Sequence, residues 1–125
     1  MKKNKKVLII DDDEGILLSV RVILEHEGYT VASEGDAARA LSIVKDEAPN
    51  VILLDMLLSG QDGREICKLL KKNKATKHIP VVMFSAHPTA REQALSAGAD
   101  NFLAKPFNMT ELLSVMNTTA KSQVV

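Results

Sequence analysis

Short unbroken apolar runs alternate along this chain with stretches whose apolar residues recur at helical spacing. Val7 to Ile10, Val51 to Leu54 and Val81 to Phe84 are the clearest runs, and they fit strands covered on both faces of a parallel sheet. Ile16, Leu17, Val20, Ile23 and Leu24 share one face of a helix that Gly28 ends in a left-handed turn. Ala37, Leu41 and Val44 mark a second helix, and Ile66, Leu69 and Leu70 a third. Thr89 with Glu92, and Asn108 with Glu111, have the spacing of a capping residue and a carboxylate three positions on, and so predict the starts of helices four and five. Weaker strands at Tyr29 to Ala32 and Asn101 to Leu103 are inferred from their place in the alternation.

Repeated strand-then-helix units predict an α/β fold, a doubly wound parallel sheet with helices on both faces, because parallel neighbours need right-handed helical crossovers. No Pro/Gly/Ser-rich linker, internal repeat or low-complexity tract divides the 125 residues, so a single domain is expected over 1–125. The tail from Asn117 to Val125 turns polar and is expected to fray or to begin a linker.

Composition narrows the function classes. Hydrophobic residues make up 46% but aromatics only 3%, which predicts an aliphatic core and speaks against a module that stacks bases on aromatic rings. Sixteen basic and sixteen acidic residues cancel, so no direct nucleic-acid binding and no membrane binding are expected. The basic start, Lys2, Lys3, Lys5 and Lys6, reads as a solvated, frayed terminus. Cys67 is the single cysteine; it is read as a helix packing residue and points to a reducing compartment. With no secretory pattern and no apolar run long enough to span a bilayer, a cytoplasmic location is expected.

The candidate chemistry lies at strand ends. In open α/β sheets the functional crevice sits beyond the carboxyl ends of the strands, where strand order reverses. Asp11, Asp12 and Asp13 follow the first strand, Asp55 the third and Ser85 the fourth, and Lys105 comes just after the fifth. A strand order of 2-1-3-4-5 would bring them together. Carboxylates about 4 Å apart repel by roughly 4 kcal/mol at an effective dielectric near 20. Such a cluster calls for a hard divalent ion, and Mg²⁺ takes carboxylate and carbonyl oxygens and bridges to phosphate. Taken singly, Asp13 is a helix cap, Ser85 a loop hydroxyl, and Lys105 before Pro106 a turn. Asp55 interrupts the apolar stretch Val51 to Leu58 and is poorly explained as a cap. The joint occurrence at successive strand ends favours an aspartyl nucleophile that takes up a phosphoryl group.

At VLIIDDDE (7 to 14), VILLDMLLSGQDG (51 to 63), VVMFSA (81 to 86) and GADNFLAKPF (98 to 107) the sequence resembles the bacterial response-regulator receiver family, over about residues 5 to 120. The resemblance implies a flavodoxin-like sheet of order 2-1-3-4-5 and a role in two-component signalling. It implies that Asp55 accepts a phosphoryl group from a phosphohistidine on a sensor histidine kinase or phosphotransfer protein. Mg²⁺ would be held by Asp11, Asp12 and Asp55, with Asp12 favoured over Asp11 as the direct ligand, and by the backbone carbonyl of Leu57. Lys105, aimed by a cis peptide before Pro106, would pair with the phosphoryl oxygens. Ser85 would move to the phosphoryl group and Phe102 would swing inward, changing the surface of helix four, strand five and helix five that a downstream protein or output domain reads. Ala86 and His87 follow Ser85 beside the site, where His87 is either a surface loop residue or one that influences dephosphorylation by steering or excluding the attacking water. The chain departs from the family at Ser59, where Pro is usual and a stiffer loop would result, and at Ser85, where Thr is commoner.

On this reading the chain is no enzyme beyond its own phosphorylation and dephosphorylation. A haloacid-dehalogenase-type phosphatase would have a second Asp where Leu57 stands, to protonate the leaving group. A flavin or nucleotide binder would need a phosphate loop after the first strand, where the acidic DDDE repels phosphate. A pseudo-receiver, a purely structural interaction module, would not require the chemical residues that are all present here.

Overall fold

The computed structural model describes residues 5–58, 60–87 and 89–122. Strands β1 (Lys6–Ile10), β2 (Thr30–Glu34), β3 (Val51–Asp55), β4 (Val81–Ser85) and β5 (Asn101–Ala104) form one sheet. All its pairings are parallel, in the order β2-β1-β3-β4-β5, the order the resemblance implied. Between the strands run α1 (Glu14–His26), α2 (Ala40–Glu47, entered through a 3₁₀ turn at Ala37–Arg39), α3 (Gly63–Lys72) and α4 (Ala90–Ser96); α5 (Met109–Ser122) closes the fold.

Every residue of β3 and β4 is buried, because successive side chains point to opposite faces and both faces are covered. On one face Leu8, Ile10, Ile52, Leu54 and Met83 pack with Val44 of α2, Leu70 of α3 and Ala94 of α4. On the other, Ile9, Leu53, Val82 and Phe84 pack with Leu24 of α1 and with Leu112 and Met116 of α5. Each fully buried aliphatic side chain contributes about 1.5–3 kcal/mol. The apolar sheet therefore fixes the fold, and the polar strand ends are carried on it.

Several local expectations shift. β2 starts at Thr30 because the Tyr29 amide donates to Leu24 O and completes the turn that leaves α1, while the buried Tyr29 ring sends its hydroxyl to Asn117 Oδ1 on α5. Gly28 has a φ of 97°, the left-handed turn anticipated after α1. Asn108 and Glu111 cap α5 reciprocally, each backbone amide donating to the other's side chain. Thr89 does not cap α4: its backbone is not extended, and its hydroxyl lies 3.0 Å from His87 Nδ1 instead. Leu69 is half exposed, and Cys67 occupies the buried stripe of α3 with Ile66 and Leu70. Lys6 is not frayed; it lies within β1, and its ammonium pairs with Glu47 at 3.0 Å. Lys2 and Lys3 lie outside the described residues. Of the tail expected to fray, residues 117–122 are helical and the remainder lies outside the description. No helix among the described residues is long and apolar enough to cross a membrane.

Candidate functional site

Strand register brings the polar ends level. Ile10 pairs with Leu54, Asp55 with Phe84, and Ser85 with Ala104, so Asp11 stands beside Asp55, and Lys105 follows beside Ser85. The Lys105 amide donates to Ser85 O at 2.8 Å, and the Lys105–Pro106 peptide is cis, as expected. After Asp55 the Met56 amide donates to Phe84 O, and the chain then reverses through a short antiparallel hairpin, Leu57–Leu58 against Gln61–Asp62. The Gly63 amide closes this loop on Met56 O at 2.8 Å. A Cβ on Gly63 would lie 2.2 Å from Asp55 O, so only glycine lets α3 begin this close to the acidic end of β3. Ser59, expected to loosen this loop, lies outside the described residues.

Oxygens of Asp11, Asp12 and Asp55 all lie within 4.8 Å of one another. Asp11 is fully buried and Asp55 is 6% exposed, whereas Asp12 is exposed. Asp13 caps α1, its Oδ1 accepting from the Gly15 and Ile16 amides. Lys105 Nζ lies 3.4 Å from Asp55 Oδ1 and 3.8 Å from Asp11 Oδ2, and 4.4 Å from the Phe84 ring centroid. Three carboxylates against one ammonium leave an excess of two negative charges. Asp11 Oδ1 accepts the Asp13 amide. Its Oδ2 is the one buried side-chain polar atom among the described residues without a hydrogen-bond partner. Burial raises the Asp11 pKa from 3.8 to about 6; the Asp13 amide opposes this, the Asp55 charge adds to it, Lys105 opposes it, and Asp12 adds to it. A doubly charged hard cation fits this donor set: it would complete the lone oxygen of Asp11 and balance the excess charge.

Ser85 is buried, and its Oγ accepts the His87 amide at 3.1 Å. Ala86 and His87 are exposed beside it. Leu57 presents an exposed side chain, and its amide reaches Asp55 Oδ1 at 3.4 Å. Phe102 is only 5% exposed and already lies in the core, with the Arg91 guanidinium 5.4 Å from its ring centroid. The structure thus gathers Asp11, Asp12, Asp55 and Lys105 into one cluster and sets Ser85 and Leu57 at its rim. Sequence reasoning missed the hairpin and the contacts of Asp62 with Arg64; the Asp-Gly pair at 62 and 63 was the available sign of a tight reversal.

The sequence model for the response regulator receiver domain matches residues 7–117. The alkaline phosphatase synthesis transcriptional regulatory protein PhoP of Bacillus subtilis is 36% identical over 111 residues, 87% of this chain and 45% of that protein. The DNA-binding response regulator MtrA of Mycobacterium tuberculosis is 32% identical over 112 residues, 88% of this chain and 48% of that protein. The chain spans about half the length of these curated relatives. Among solved structures, the receiver domain of NtrX from Brucella abortus superposes with a TM-score of 0.85 at 32% identity, covering 93% of this chain and 98% of that one. A relative named for DNA binding runs against the expectation of no direct nucleic-acid binding, since the even charge balance speaks only for these 125 residues and not for the whole of such a protein. Strand order, strand-end residues and these likenesses agree: the chain belongs to the response regulator receiver domain family of two-component signalling proteins.

Proposed function

We propose that Asp55 accepts a phosphoryl group from a phosphohistidine donor, a sensor histidine kinase or phosphotransfer protein, with Mg²⁺ bound by Asp11, Asp12, Asp55 and the Leu57 carbonyl. The observation that carries this reading is the fully buried Asp11, whose Oδ2 lacks a hydrogen-bond donor within a cluster of three carboxylates. A purely structural module would gain stability by losing that charge, which disfavours the pseudo-receiver.

Mg²⁺ held there would neutralise the carboxylates and the oxygens of an incoming phosphoryl group. A carboxylate oxygen of Asp55 attacks phosphorus, the P–N bond to the donor imidazole breaks, and the imidazole leaves with the electron pair and takes up a proton. Lys105 Nζ, already 3.4 Å from Asp55 Oδ1, balances the charge gathered on the acyl phosphate. Ser85 exchanges its bond with the His87 amide for one to a phosphoryl oxygen, and Phe102, already inside the core, shifts its packing toward the space that Ser85 leaves. The α4, β5 and α5 surface then differs between the two states and is read by a protein target or output domain. The transcriptional and DNA-binding relatives support gene regulation as the pathway served. His87 beside Ser85 bears on the entry of hydrolytic water. Residues 5–120 act as one receiver unit in this scheme, in the cytoplasm.

Incubation with Mg²⁺ and acetyl phosphate, followed by intact-mass analysis, should add one phosphoryl group to the wild type and none to Asp55→Asn. An unmodified wild type, or equal modification of both proteins, would overturn the reading.

A further inference from the structure

We infer that Arg64 is a positioning residue for the acceptor loop: by gripping Asp62 it holds the hairpin that carries Leu57. Asp62 Oδ1 accepts from the Arg64 amide at 2.9 Å, which caps α3, and from Arg64 Nε at 3.0 Å. Asp62 Oδ2 accepts from Nε at 3.1 Å and from Nη2 at 2.6 Å. This is a side-on fork, the strong geometry for a guanidinium and a carboxylate. The remaining arm, Nη1, reaches Gln93 Oε1 on α4 at 3.4 Å. Asp62 is the cross-strand partner of Leu57.

A hairpin of two residues per strand does not hold itself together in water. Leu58 is buried but Leu57 is 67% exposed, and the Leu57 amide is tied to Asp55 only by a long 3.4 Å bond. The base of the loop is fixed by Gly63 against Met56. Its outer corner is fixed by the Asp62 carboxylate, whose pKa is held below the usual range chiefly by the hydrogen bonds from Arg64. The pair is about a third exposed, so it adds little to global stability. Its effect is local, on where the Leu57 backbone stands relative to Asp55.

The inference rests on the function proposed above, and its test separates the two. Amide exchange of Leu57, Leu58 and Asp62, followed by NMR in metal-free protein, should speed up in Arg64→Ala while the thermal midpoint barely moves. Calorimetric Mg²⁺ affinity should fall about tenfold, the lower end of the cost of losing an outer-shell partner. Arg64→Lys should recover little of it, because an ammonium cannot form the fork. In an Asp62→Asn background, where Asn still caps α3, Arg64→Ala should add no further loss. Unchanged exchange and Mg²⁺ affinity in Arg64→Ala, full rescue by Lys, or additive losses in the double variant would overturn it. A wild type that neither binds Mg²⁺ nor accepts a phosphoryl group defeats the functional reading, and the exchange measurement still decides the role of Arg64.

Discussion

Replacing Asp11 with Asn should make the metal-free protein more stable at neutral pH. Asp11 is fully buried, with one oxygen on the Asp13 amide and the other without a donor. Its pKa is raised from 3.8 to about 6, first by burial. A carboxyl that is a weaker acid in the folded chain than in the unfolded one opposes folding once it ionises. The penalty is absent below 3.8, grows between 3.8 and about 6, and is complete above. At 1.36 kcal/mol per pKa unit its ceiling is about 3 kcal/mol. Asn preserves the acceptor for the Asp13 amide and cannot ionise. Urea unfolding followed by circular dichroism should therefore show Asp11→Asn more stable by about 2–3 kcal/mol near pH 7.5 without divalent ions, and equal to wild type near pH 3.5. Excess Mg²⁺ should stabilise the wild type far more than the variant and narrow the gap, because a ligand that binds only the folded state adds to its stability. Equal stability of the two proteins near pH 7.5 without metal would refute the argument that the buried charge is a cost to the fold.

The same protonation should weaken Mg²⁺ binding as pH falls through about 6, with affinity near pH 5 about tenfold below its plateau by calorimetry, one unit below that pKa. Gly63→Ala, whose Cβ would meet Asp55 O at 2.2 Å, should lose about 3 kcal/mol in urea unfolding, at the upper end of overpacking costs. Ala48→Gly relieves an exposed left-handed residue at the end of α2 (φ 47°) and should raise stability by about 0.5–1 kcal/mol, seen as a thermal midpoint higher by a few degrees.

The sheet was legible because β1, β3 and β4 are covered on both faces, so their apolar runs carry no competing helical period. The strand order was not written in those runs; it came from the family resemblance. Tyr29 reads as strand by propensity, yet it belongs to the exit from α1, because its amide closes the turn on Leu24 O, and its hydroxyl goes to a partner 88 residues away on α5. On α3, spacing admitted Leu69 and Cys67 equally, and only the position of the sheet decides that the cysteine faces inward. The residues of the acidic cluster were legible because each ends a strand. The clamp around them was not: the hairpin has two residues per strand, too few to show a period, and the partners of Arg64 are fixed by how closely Gly63 lets α3 approach.

The chain has one tyrosine and no tryptophan, so nearly all its near-ultraviolet emission comes from the ring that bridges α1 to α5. That ring precedes β2, at the opposite pole of the sheet from Asp55. A fluorescence change on loading the acidic pole would therefore mean that the disturbance had travelled the length of the strands to the α1 and α5 layer, and a silent signal would mean that it had stopped short.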